Sequence, residues 1–301
     1  MCVNRKRPRR EQLRSPPPTT QQLQADDDQL KRVRTASPTS VDQVADNQTQ
    51  ENGELAMAAH RDEMVAAILT ITSALGLSTE TLHLCVSLLD RYMEQQIIEV
   101  ARLEALSISC LWIAVKFVET PTTIFDKSIK EILQRRRHSS NWTWNEILEL
   151  ELKVLHSLNF RIMTPTLLDV LQRKLYALNE DNQGHETDDL PFEQCQLALY
   201  FADLLLLKAR SNQFSKELLV DAIWFVVSGN QIADVKPPLL EPVVLLYLAH
   251  RDNINPNHAV FKPWFALRCR YGTFLPSPWK VPYDPSCVCR VCEHVKDELA
   301  S

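Results

Sequence analysis

The sequence predicts an all-α protein: two helical bundles in tandem behind a disordered N-terminal tail. Three observations predict this. The 301 residues include only 5 glycines, which disfavours glycine-rich phosphate loops and tight β-turns. Leu, Ala, Glu, Gln and Ile dominate the middle of the chain, as expected of helices. From about Leu55 onward, apolar residues recur at helical spacing.

Residues 1–54 are polar, rich in Pro, Gln and Asp, and nearly devoid of large apolar groups. Such a segment buries too little surface to offset its ordering entropy, so it reads as a disordered basic tail. Its basic cluster, "NRKRPRR", contains Arg5, Lys6, Arg7, Arg9 and Arg10. The cluster is a nuclear-import candidate; a solvated charge run is the alternative. The expected location is therefore the nucleus, with shuttling to the cytoplasm left open. Ser15-Pro16 and Ser37-Pro38 are candidate proline-directed phosphorylation sites, and "REQL" at Arg10–Leu13 fits a minimal destruction box.

The helices follow in order. "ELAMAAHRDEMVAAILTITSALGL" puts Met57, Met64, Ile68 and Ile71 near one face, and Gly76 is a natural stop. Ser78 or Thr79 can cap the second helix, "STETLHLCVSLLDRYMEQQ", with Leu82, Val86 and Leu89 apolar. The third, "RLEALSISCLWIAVKFVET", is apolar nearly all round, which means it is surrounded by other helices. Pro121 bounds it; "SIKEILQR" is a short fourth helix. After the basic loop Arg135–Asn141, "WTWNEILELELKVLHSLNF" is the fifth. Five helices around a buried one make a unit of roughly 100 residues, a normal domain size. A second helical series starts after Thr164-Pro165-Thr166. The boundaries read as 1–54, 55–163, 164–276 and a flexible tail at 277–301 that contains cysteines.

Composition excludes several function classes. The formal net charge of -5 gives no broad pull on nucleic acid. No apolar run is long and clean enough to span a bilayer, and "KDEL" at Lys296–Leu299 is internal. Five of the 8 cysteines are dispersed, mostly among apolar residues, which suits reduced buried thiols. Cys287, Cys289, Cys292 and His294 are a weak zinc candidate, because thiolate and imidazole suit zinc but the spacing is no standard finger. No cofactor is expected, and no arrangement of catalytic groups stands out.

One feature is chemically odd. Lys116 places an ammonium inside the apolar run "LSISCLWIAVKFVETP", and Glu151 places a carboxylate on the stripe Ile147, Val154, Leu155 and Leu158. Opposite charges on apolar surfaces of one small bundle suggest a shared site. Lys116 also lies near a helix C-terminus, where it can snorkel, and Glu151 can be marginal to its stripe.

"ETLHLCVSLLDRYM", "LWIAVKFVE" and "EILELELKVLHSLNFRIMTPT" resemble the second, third and fifth helices of a cyclin box. Order and spacing agree across Arg61 to Thr166, and the second series agrees more loosely. The resemblance implies two tandem five-helix cyclin-box bundles, the first nearest to cell-cycle A/B/E-type cyclins. It also implies a non-catalytic subunit that binds and activates a cyclin-dependent protein kinase. By the same resemblance, Lys116 and Glu151 anchor the kinase beside its mobile regulatory helix. Ile113, Phe117, Leu155, Phe160 and Ile162 form the apolar contact surface. Arg61 and Asp90 match a structural salt bridge between the first two helices. The substrate-docking stretch of such cyclins is altered here: "HRDEM" stands at His60–Met64, Ala67 replaces a Trp, and Glu104 replaces a Gln. A transcription-linked cyclin, or a scaffold of this fold that binds peptide or nucleic acid, is the alternative.

Overall fold

The computed structural model describes residues 40–120, 142–182, 191–230, 235, 238–254, 266–267 and 270–271. Among them every regular element is helical, and no helix is long and apolar enough to cross a membrane. The chain divides into two units, Met1–Gly53 and Glu54–Ser301. Of the first unit, the described part begins at Ser40 and is helical.

Helix α1 runs Ser40–Ala74, so it starts well before the Leu55 expected from composition. The tail is therefore not uniformly unstructured up to residue 54. Lack of burial argues against tertiary packing, not against a local helix. Between Pro38 and Leu55 the sequence has no proline and carries three Gln and two Glu, residues that favour a helix. At its other end, Gly76 adopts φ +64° and the Leu77 amide donates to the Thr72 carbonyl at 2.9 Å. That is the six-to-one bond of a Schellman stop, and Leu77 behind it is buried.

Helix α2 (Thr79–Gln95) is capped by Ser78, whose side chain accepts from the Thr81 amide. Helix α3 (Val100–Val118) is buried from Ala105 to Val115 without a break, as its all-round apolar sequence requires. Helix α4 (Trp144–Ser157), the fifth helix of the sequence reading, opens with a Thr143–Glu146 capping box. The "SIKEILQR" helix and the Arg135–Asn141 loop lie outside the described residues. Glu119 fastens the end of α3 to the start of α2: its Oε1 accepts from the Ser78 amide (2.8 Å), Ser78 Oγ (2.9 Å) and Thr81 Oγ1 (2.6 Å).

The second series comprises α5 (Leu167–Asn182), α6 (Phe192–Leu206), a 3-10 turn at Ala209–Gln213, α7 (Lys216–Val227) and α8 (Leu240–Ile254). Both series lie in the Glu54–Ser301 unit and share one continuous buried cluster. They meet along α2, which packs on α5 and α6 as well as on α3 and α4. Polar links reinforce that seam. His83 Nε2 of α2 lies 3.0 Å from Asp203 Oδ1 of α6, with both side chains fully buried. Asp203 Oδ2 also accepts from the Tyr271 hydroxyl at 2.7 Å. Arg270 donates to Thr79 (3.0 Å) and Thr72 (3.2 Å), tying a C-terminal segment back to α1 and α2.

Candidate functional site

Helix α3 is buried from Ala105 to Val115, and its last turn leaves the core. There Lys116 emerges with its side chain 45% exposed, and it is ion-paired to Glu151 of α4, whose side chain is only 14% exposed. The ammonium also lies 5.4 Å from the centre of the Trp112 ring, which meets Trp144 edge-on at 5.2 Å. The chemistry of the oddly placed lysine is thus resolved. Its stem runs over aromatic surface, its charge reaches water, and a carboxylate and a ring face hold it in place. An ion pair this exposed contributes only about 0–1 kcal/mol to folding. Its main effect is to order two charges at the rim of the bundle.

The sequence reading places five apolar residues around this pair. Phe117 is 49% exposed and Phe160 59%, while Leu155 and Ile162 are half-buried against the core. Ile113 is a correction: at 3% exposure it belongs to the core and not to the exposed rim. On a helix that is apolar all round, sequence cannot tell which side faces out. Two outward leucines were missed. Leu148 and Leu152 of α4 are exposed; with Leu155 they follow the i, i+4, i+7 spacing of a second apolar stripe. That stripe is separate from the buried one at Ile147 and Val154. The signal was present in "EILELELKVL", which carries more leucines than one buried face needs.

Beyond α4 the chain makes a sharp turn. Asn159 and Phe160 adopt φ +51° and +56°. Asn tolerates this left-handed region, but a bulky Phe there costs about 1–2 kcal/mol. The turn is closed by the Phe160 amide donating to the Leu155 carbonyl at 2.7 Å. The Phe160 ring stands edge-on to His156 at 5.1 Å and stays largely in solvent. Met163, further along, is also exposed. The backbone is held in an unfavourable conformation to present an aromatic ring outward, a pattern associated with functional sites.

Arg61 and Asp90 form the expected bridge, in bidentate geometry: Nε–Oδ1 is 2.9 Å and Nη2–Oδ2 is 2.8 Å. Arg61 is 2% exposed, and burial opposes its charge. The Asp90 and Asp62 carboxylates outweigh that and raise its already high pKa. Its Nη1 also donates to the Leu206 carbonyl at the end of α6, and Asp62 accepts from the Ala209 amide at 2.8 Å. The bridge therefore ties three helices rather than two. At the altered docking stretch, His60 is half-buried and lies 3.6 Å from Glu63, and Met64 is half-buried against the core. The basic cluster at Arg5–Arg10 and the group Cys287, Cys289, Cys292 and His294 lie outside the described residues. Among those described, no cluster of metal-ligating side chains occurs.

Residues 29–163 match the family model "Cyclin, N-terminal domain". Among curated proteins, Cyclin-A2-1 of Arabidopsis thaliana is 30% identical over 167 residues, 55% of this chain and 35% of that protein. Cyclin-G1 of Bos taurus is 27% identical over 173 residues, 56% of this chain and 57% of that protein. G2/mitotic-specific cyclin-2 of Saccharomyces cerevisiae is 27% identical over 175 residues, 58% of this chain and 34% of that protein. The matched stretch thus spans about a third to just over half of each relative's length.

Proposed function

We propose that this chain, which belongs to the cyclin family, is the regulatory subunit of a cyclin-dependent Ser/Thr kinase acting in cell-cycle control. Cyclins are in general non-catalytic regulators, and all phosphoryl transfer is assigned to the partner. The observation that carries the reading is the Lys116–Glu151 pair standing at the protein surface. An internal bridge would be sealed under its own chain. This one opens to solvent beside Phe117 and the Leu148–Leu152–Leu155 stripe.

The physics suits a switch. Apolar side chains supply area, and two ordered charges fix register on the partner. A kinase is active when a strand Lys pairs with a Glu on its mobile helix. A rigid surface that binds only the swung-in helix shifts the population toward the active form. Moving it from mostly off to mostly on takes ~5.5 kcal/mol of differential binding. Several apolar side chains, at about 1.5–3 kcal/mol each, supply that after association costs. Nuclear residence, through Arg5–Arg10, belongs to the same reading.

The test is capture of a kinase from extract on the full chain, followed by phosphorylation assays with the recovered complex. Lys116→Ala and Glu151→Ala should each reduce capture and kinase activity while helical circular dichroism is kept. Binding that ignores both substitutions and falls steeply with salt would favour a scaffold of this fold instead.

A further inference from the structure

We propose that Arg91 is a positioning residue for the partner-binding rim: from α2 it holds the left-handed Asn159–Phe160 turn in the shape that presents Phe160 and Ile162. The proposal rests on the kinase reading and adds a residue that does not itself touch the partner.

Adjacent residues of α2 serve opposite neighbours. Asp90 faces back to Arg61 of α1. Arg91 reaches forward across the end of α4. Its Nη2 donates to the Arg161 carbonyl at 2.8 Å, and its Nη1 donates to the Ile162 carbonyl at 3.3 Å and to Thr164 Oγ1 at 3.4 Å. The planar fork therefore spans consecutive carbonyls just beyond the two residues with positive φ. Such a fork suits a guanidinium and not an ammonium. A strained turn persists only where its surroundings over-determine it, and Arg91 holds the two carbonyls that directly follow this one. Two other links run from α2: Ser87 Oγ lies 3.4 Å from Thr164 Oγ1, beyond the turn, and Ser157 Oγ donates to Gln95 Oε1 at 2.9 Å, before the turn begins. Burial disfavours the Arg91 charge, while Glu94 one turn along α2 favours it. The side chain is half-buried, and two backbone carbonyls accept from its guanidinium.

The consequence is functional. Phe160 is exposed and makes a ring contact to His156, so little of its own packing fixes it. If the carbonyls of Arg161 and Ile162 are released, the turn relaxes to ordinary φ values and the ring swings away from the rim. Pre-organisation of this kind lowers the cost of binding rather than adding a contact.

The experiment uses the full chain as wild type, Arg91→Ala, Arg91→Gln, Arg91→Lys, Phe160→Ala and the Arg91→Ala/Phe160→Ala double variant. Amide hydrogen exchange of the free chain is read at residues 159–164, and affinity is read against the recovered kinase. In Arg91→Ala, exchange at Asn159–Ile162 should rise and affinity should fall about tenfold, while α3 amides keep their protection. Arg91→Lys should restore only part of the affinity. In the Phe160→Ala background, Arg91→Ala should cost little more. Arg91→Gln carries the test if the alanine variant does not fold. The proposal is overturned by unchanged exchange at the turn, or by exchange that rises equally through α2 and α3. A loss of affinity equal in both backgrounds overturns it too. Should Lys116→Ala weaken binding and Arg91→Ala not, this proposal alone fails. Should the turn loosen while neither substitution alters capture, the kinase reading falls and this role falls with it.

Discussion

Arg61 and Asp90 meet through two hydrogen bonds of 2.9 and 2.8 Å, with the arginine 2% exposed and its remaining arm on the carbonyl of Leu206. Breaking such a pair leaves a buried charge without its partner, which costs about 3–5 kcal/mol. Arg61→Ala should therefore lower the urea midpoint sharply and loosen α6 against α1, detectable as faster amide exchange around Leu206–Ala209. A midpoint within the error of wild type would show that the bridge is not structural.

His250 of α8 is buried and hydrogen-bonded to the Tyr200 hydroxyl at 2.7 Å. Burial in this aromatic setting, with Phe201 also against the ring, pulls its pKa down to about 4. Below pH 6.5 the unfolded chain takes up a proton that the folded chain refuses until about pH 4. Stability is therefore full above pH 6.5 and falls as pH drops across that interval, by on the order of 3 kcal/mol. Urea titrations from pH 7.5 to 4 should show the fall, and His250→Gln should flatten it. An equal slope in both proteins would assign the acid sensitivity to other groups.

Much of this was legible in sequence, and the reasons are particular. The first bundle shows through because its signals are local: Ser78 before a periodic apolar run, Gly76 after one, an apolar α3 that only a surrounded helix can carry. Lys116 and Glu151 are legible because charge on an apolar stripe is chemically conspicuous. The start of α1 at Ser40 is not, since residues 40–54 carry too few large apolar side chains for periodicity to register. Ile113 misleads because α3 is apolar in every direction. Arg91 is silent because it acts on backbone carbonyls, whose positions no side-chain pattern encodes. The seam at His83 and Asp203 joins residues 120 positions apart, beyond the reach of local spacing.

Phe160 combines an unfavourable φ with an exposed ring, so stability and binding should move in different directions there. Phe160→Gly removes the left-handed penalty, about 1 kcal/mol, at the cost of a ring that buries little of its surface. The thermal midpoint should hold or rise, while affinity for the kinase drops about tenfold, as for truncation of an interface aromatic. A variant that is less stable but binds normally would place the ring in fold maintenance and outside the interface.

The sharpest separation of an internal bridge from a docking pair is to exchange its charges. In Lys116→Glu/Glu151→Lys the two side chains can still pair with each other, so any contribution to folding, at most about 1 kcal/mol for so exposed a pair, is largely kept. The pattern offered to a partner is inverted, however: a carboxylate now sits at the end of α3 and an ammonium on α4. It also loses the Trp112 ring beneath the cation. A bound kinase that reads this pattern through its own backbone groups meets like against like, which costs far more than the loss of one contact. The single variants and the exchanged pair should all melt near the wild-type midpoint, and the exchanged pair should capture kinase no better than the worse single variant. If exchange restores capture, the pair matters only to its own bundle, and the partner must be held by the apolar stripe of α4 alone.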